Sequence, residues 1–164
     1  MSETPKEQEI VENLKARLGQ SLLDVRIQRS RRIFATVSQA VLLETIGFLS
    51  KDYGLRHLAT ITGIDLGNGI GVYYHLRDET ITLSLKVTTP KADPKLPTIV
   101  PMIPGAVLYE REIHDLFGVV FEGHPDLSPV ILPEGWPKGV YPLRKEWKTD
   151  AIIAEVAKAE LDGI

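Results

Sequence analysis

One stretch of this 164-residue sequence concentrates side chains able to do chemistry: Tyr109-Glu110-Arg111-Glu112-Ile113-His114-Asp115-Leu116-Phe117-Gly118. On a helix, Glu110 and His114 share one face and Arg111 and Asp115 another, each pair at i,i+4. With His124 in the following loop, Glu110 and His114 are residue types that ligate metals. A metal site wants three or four convergent ligands with partners behind them. The chain has four histidines, and His57 and His75 fall in a distant strand-like region. The sequence therefore favours the plainer account, a helix whose charged face caps loops and pairs ions. Arg111 is expected to pair Asp115 and carboxylates or carbonyls of the next loop. Glu110 and Glu112 make a poor acid–base couple, because i,i+2 side chains diverge on a helix. Gly63-Ile64-Asp65-Leu66-Gly67-Asn68-Gly69-Ile70-Gly71 invites a nucleotide reading. A dinucleotide loop must open a helix, however, and here strand patterning lies on both sides, so a hairpin turn is the better account. No Walker loop or nucleophile elbow occurs.

A second dense segment, Tyr141-Pro142-Leu143-Arg144-Lys145-Glu146-Trp147-Lys148, interleaves aromatics with cations, and Trp136 precedes it. A basic stretch is often only solvated. Aromatic residues and arginine are, however, what interface centres favour. Trp136, Tyr141, Pro142, Leu143, Arg144, Lys145 and Trp147 are therefore expected to face a partner.

The elements that must position these residues can be read from periodicity. Thr4-Pro5-Lys6-Glu7 starts a helix with Thr4 as cap, and Ile10, Val11, Leu14 and Leu18 continue it to Gly19. Leu23 to Ile27 and Ile33 to Val37 alternate as two strands. Ser38 caps a second helix that ends near Gly54. Strands follow at Leu58–Thr62, Val72–Leu76 and Thr80–Thr88. The order α-β-β-α-β-β-β predicts an α+β fold, a two-layer domain with helices packed on a mixed, mainly antiparallel sheet. From Pro90 the character changes. Prolines exclude any long helix before Gly105, a helix runs from Ala106 to Phe117, and five more prolines follow. The expected division is an α+β domain over 1–118 and, over 119–164, an extended proline-rich segment with a terminal helix, too apolar to lie free in water.

Composition narrows the function classes. The chain has no cysteine, which excludes disulfides, thiol catalysis and Cys-ligated clusters held by this protein alone. The net charge of −3 lacks the basic footprint of nucleic-acid binding. No apolar run approaches the roughly 18 residues of a membrane helix.

Several ordered motifs resemble one family: Glu110-Arg111-Glu112, Asp115-Leu116-Phe117-Gly118, Phe121-Glu122-Gly123-His124-Pro125-Asp126-Leu127, Ile131-Leu132-Pro133-Glu134 and Pro142-Leu143-Arg144-Lys145. Together they resemble the 30-kilodalton subunit family of respiratory complex I. That family includes counterparts in membrane-bound, energy-converting hydrogenases and related complexes. The resemblance implies a structural subunit with no catalytic, cofactor or metal residues of its own, in the peripheral arm of an ion-translocating electron-transport complex. Its expected place is the cytoplasmic side of the cell membrane, held there by partners rather than inserted. It would brace the large subunit related to NiFe-hydrogenases, and the iron–sulfur clusters, with a NiFe centre in a hydrogenase, would belong to partner subunits. Glu110, Arg111, Glu112, Asp115, Gly118, Gly123, His124 and Pro125 would form the structural motif. The run Ile103–Tyr109 lacks the tryptophan common before Glu-Arg-Glu, and Lys145 leads into Glu146-Trp147 rather than an acidic-aromatic-proline ending. These departures resemble the hydrogenase or sulfur-reductase branch more than the NADH–quinone branch. The alternatives are the same role in complex I and, further off, a freestanding metal-dependent enzyme.

Overall fold

The structure, a computed structural model, describes residues 5–162. The Thr4 cap lies outside them. Helix α1, Lys6–Leu18, buries Ile10, Val11, Leu14 and Leu18, the stripe that its period sets out. Strands β1, Leu22–Arg29, and β2, Arg32–Val37, form an antiparallel hairpin. Its turn puts Arg31 at φ +64°, and the Arg31 amide donates to Glu7 at 2.6 Å. Helix α2, Leu42–Asp52, is preceded by a short 3-10 turn, Gln39–Val41. That turn displaces the expected cap: Ser38 precedes it and its hydroxyl caps nothing.

Strands β3 (His57–Asp65), β4 (Gly69–Arg77) and β5 (Thr82–Pro90) form the meander that the alternation predicts. The five-stranded sheet runs β1-β2-β5-β4-β3, and its one parallel pair joins β2 to β5. The fold is thus α+β with a mixed, mainly antiparallel sheet.

One face of that sheet is the core. Ile33, Ala35, Val72, Tyr74, Leu76, Leu83, Leu85 and Val87 are buried on it. Helix α3, Ala106–Phe117, lies on this face across β3. A Cβ on Gly63 of β3 would stand 2.5 Å from the Phe117 ring, so only glycine admits so close a helix. The opposite face carries half-buried or exposed residues such as Phe34, Tyr73, His75 and Lys86.

The proline-rich region holds an element that periodicity could not reveal. Strands β6, Lys95–Pro97, and β7, Val120–Glu122, pair in parallel as a second small sheet. Three residues are too few to show alternation, and prolines bound β6. The boundary expected at Gly118 therefore falls between two paired strands. Beyond it, Val119 and Phe121 are 0% and 1% exposed within the core. Helix α4, Thr149–Asp162, ends the described residues. No helix among them is long and apolar enough to cross a membrane.

Candidate functional site

Helix α3 organises everything around it. Glu110 points inward and is fully buried. Its carboxylate accepts the Thr98 hydroxyl at 2.5 Å and the Ile99 amide at 2.8 Å, which fixes the loop entering the helix. Burial raises the Glu110 pKa, and the Ile99 and Thr98 hydrogen bonds and the nearby His124 oppose that rise. The His124 Nε2 lies 3.9 Å from Glu110. Nε2 also sits 3.1 Å from the Val107 carbonyl, and Nδ1 accepts the Asp126 amide at 3.0 Å. These directions assign the His124 proton to Nε2, which donates to Val107. Gly123, at φ +84°, makes the turn that brings His124 back to the helix, and Pro125 follows on the surface.

The opposite side of α3 grips the loop that follows β7. Arg111 donates to the Ser128 carbonyl at 2.8 Å, the Ser128 hydroxyl at 2.9 Å and the Pro129 carbonyl at 2.8 Å. Asp115 does not pair with Arg111, although the i,i+4 spacing predicts it. Its Oδ2 instead accepts three successive amides, Val130 at 2.8 Å, Ile131 at 2.9 Å and Leu132 at 3.2 Å. Consecutive N–H groups converging on a carboxylate form a nest, and this one takes the anion away from the guanidinium. Glu112 is half-buried on the same helix.

The C-terminal end of α3 is closed by the protein's own tail. Gly118 adopts φ +73° and its amide donates to His114, a left-handed helix stop. His114 lies 2.8 Å from the Val119 carbonyl through Nδ1. The Tyr141 ring occupies the space that a Cβ on Gly118 would need. Arg144 stacks on that ring at 4.4 Å and donates to the Phe117 carbonyl at 2.7 Å, a cation at the negative end of the helix. The Leu143 amide donates to Leu116. Further on, the Lys145 amide donates to Asp65 at the end of β3, at 2.8 Å. Lys91 bridges Asp65, at 2.6 Å, and Glu146. Burial pushes the Asp65 carboxyl up, but Lys91 and the amides of Lys145 and Gly67 outweigh it and hold the pKa at about 2.

The expected partner-facing residues divide into two sets. Trp136 donates its indole N–H to Val140 at 2.7 Å, so its polar end is used inside its own loop. Tyr141 and Arg144 are likewise engaged with α3, and Pro142 and Trp147 are half-buried. Leu143 is 52% exposed, and the Lys145 side chain is also outward. The structure adds Ile131, 57% exposed, and Ile153, 61% exposed. Sequence reading missed Asp65, Lys91 and Thr98. An Asp two residues before a turn glycine is a legible Asx signal; Lys91 and Thr98 have no local one.

His114 is turned to Val119 while Glu110 and His124 meet elsewhere, so the three do not converge. Among the described residues no group of three or more His, Asp or Glu side chains is placed to hold a metal ion. The arrangement is one of capping, stacking and amide binding.

A model of the family described as respiratory-chain NADH dehydrogenase, 30 Kd subunit, matches residues 35–152. The C subunit of NADH-quinone oxidoreductase from Chloroherpeton thalassium is 36% identical over 126 residues, 73% of this chain and 52% of that protein. The C subunit of F420H2 dehydrogenase from Methanosarcina mazei is 29% identical over 85% of this chain and 90% of its own. The chain thus spans about half the length of the first relative and most of the second. Among solved structures, a chain of the membrane-bound sulfane sulfur reductase, an archaeal respiratory membrane complex, superposes with a TM-score of 0.75. That likeness covers 93% of this chain and 92% of the other at 25% identity.

Proposed function

This chain belongs to the 30 Kd subunit family of the respiratory-chain NADH dehydrogenase, and from that premise we propose a cofactor-free structural subunit of a membrane-bound redox complex. Its task is to brace a large subunit related to NiFe-hydrogenases in the peripheral arm, on the cytoplasmic side of the membrane. Iron–sulfur clusters, and a NiFe centre in a hydrogenase, sit in the partners. One observation carries the reading: at two positions the C-terminal segment turns its backbone amide inward and an apolar side chain outward. Asp115 holds the amides of residues 130–132 while the Ile131 side chain stands exposed. Leu116 holds the Leu143 amide while the Leu143 side chain stands exposed. A backbone held this way fixes where the exposed Ile131 and Leu143 side chains stand, and such pre-organisation lowers the entropic cost of docking.

The sulfur-reductase or hydrogenase branch is favoured over quinone reductases by the likeness to the sulfane sulfur reductase chain over nearly the whole of both chains. The similarity to the NADH-quinone oxidoreductase relative supports the second reading, the same role in complex I. Purification of the tagged protein from its native membranes tests both. Copurification of a hydrogenase-like large subunit supports the proposal, and the electron-input subunits that accompany it choose the branch. Isolation of the protein as a free monomer with turnover of its own would refute it.

A further inference from the structure

We infer that the uncovered face of the five-stranded sheet docks an acidic stretch of a partner protein, with Arg26, Arg32 and Lys86 as its carboxylate-binding cations. The argument starts from register. Arg26 faces Phe34 across the β1–β2 ladder, and Tyr73 faces Lys86 across β4–β5. Strand alternation therefore gathers these side chains on the face away from the helices. Two guanidinium groups approach the single Phe34 ring, Arg32 at 5.4 Å and Arg26 at 5.5 Å from its centroid. The Lys86 ammonium stands 5.6 Å from the Tyr73 ring, which stacks on His75 at 6.3 Å. Arg77 continues the His75 row at the end of β4.

No carboxylate among the described residues lies within ion-pair distance of Arg26, Arg32, Arg77 or Lys86. The acid that alternation places on this face is Asp24, opposite Thr36. The protein as a whole is acidic, at −3, so this face is of opposite sign to the rest. An aromatic beneath each cation restricts its side chain and leaves its donors outward, which pre-organises it for carboxylates. His75 adds no charge: burial and then Arg32 push its pKa down, and its ring nitrogens meet Ser84 at 2.8 Å and Thr62 at 3.2 Å. Ile64 and Leu66, 42% and 38% exposed, close around Gly71 beside the Lys86 side chain, so apolar and charged side chains share this face as they do at protein interfaces. The inference stands apart from the docking of the C-terminal segment, which lies on other elements.

The test uses the full-length protein at low salt, with a glutamate-rich peptide of about ten residues as probe, long enough to cross several strands. Amide chemical-shift changes should concentrate on β2, β4 and β5 and fade as salt is added. Charge reversal in Arg32→Glu/Lys86→Glu should weaken binding about tenfold or more while the melting temperature holds. Arg32→Lys should keep part of the affinity. Shifts scattered elsewhere, or unchanged affinity in the reversed variant, would overturn the inference. So would tighter binding to phosphatidylglycerol vesicles or duplex DNA at the same face. In the complex purified from membranes, Lys86 should resist acetylation relative to the isolated protein; equal labelling in both would contradict the docking.

Discussion

At the scale of single residues, Asp115 and Asp65 fasten the tail, and each makes a distinct prediction. Asp115→Ala leaves three amides without their acceptor in a largely water-excluded site. A hydrogen bond to a charged group is worth about 1.5–3 kcal/mol, so the loss should be on the order of 3 kcal/mol after the loop relaxes. Denaturant unfolding measures it, and a change below about 0.5 kcal/mol, the level of an ordinary surface substitution, would show that solvent replaces the carboxylate. Asp65 acts through pH. Its folded pKa of about 2 lies below the ordinary 3.8, so folding favours the ionised form. The stabilisation is complete above about pH 4 and is lost as pH falls through 2, a contribution of about 2 kcal/mol. Because Asp65 also receives the Lys145 amide, the tail should loosen in the same acid range, and proteolytic nicking near Trp147 should rise with it. Lys91→Ala should move that transition to higher pH. Tyr74 supplies a contrary case: its hydroxyl is buried and meets no hydrogen-bond partner among the described residues. Tyr74→Phe removes an unmatched polar group and should leave stability unchanged or raise it by up to about 1 kcal/mol, read by thermal unfolding.

At the scale of elements, α3 is a connector whose two ends are closed by different parts of the sequence. Gly118→Ala tests the C-terminal closure. It forces a side chain into the left-handed region and into the Tyr141 ring, which must move. A loss of about 1–2 kcal/mol is expected from backbone conformation alone, and more if Tyr141 cannot shift. An unchanged melting curve would contradict the contact. Arg111 is half-buried and bonded to neutral loop groups, so Arg111→Ala should cost about 1–3 kcal/mol. That is less than removal of one partner of a buried ion pair. Arg111→Lys should not rescue it, because a point charge cannot reproduce the three-bond fork.

Which of these elements the sequence disclosed follows from the range of the forces involved. Helices α1, α2 and α3 and strands β2 to β5 show their periods, since one face of each meets the core; in β1 the expected inward set fails, with Leu23 and Ile27 64% and 39% exposed, because the register shifts near both ends of this edge strand. The β2–β5 parallel pairing brings together residues about fifty apart in sequence and has no local sign. The β6–β7 pair is too short to alternate. Arg111 and Asp115 sit at ion-pair spacing, yet the nest at residues 130–132 competes for the carboxylate and wins, with three charge-assisted bonds against one. The motif residues Glu110, Gly118 and His124 were readable as a group; the partners of Glu110 and His124, the Thr98 hydroxyl, the Ile99 amide and the Val107 carbonyl, are backbone or single hydroxyl groups that no spacing announces.

At the scale of the whole molecule, the tail is laid along its own connector helix, with its amides locked inward and the Ile131 and Leu143 side chains turned outward. Removal of everything after Gly118 would therefore also strip Val119 and Phe121 from the core and unpair β6, confounding folding with docking. Substitutions at the two exposed apolar positions separate the two. The most direct measurement is quantitative copurification from native membranes of the full-length protein bearing Ile131→Glu and Leu143→Glu, beside the unmodified protein. The melting temperature of the isolated variant should stay within about 2 °C of the original, because both side chains are more than half exposed. The unmodified protein should bring down the hydrogenase-like large subunit in equal amount, and the variant should lose it. A folded variant that retains its partner at the original stoichiometry would contradict the assignment of this segment as the docking surface.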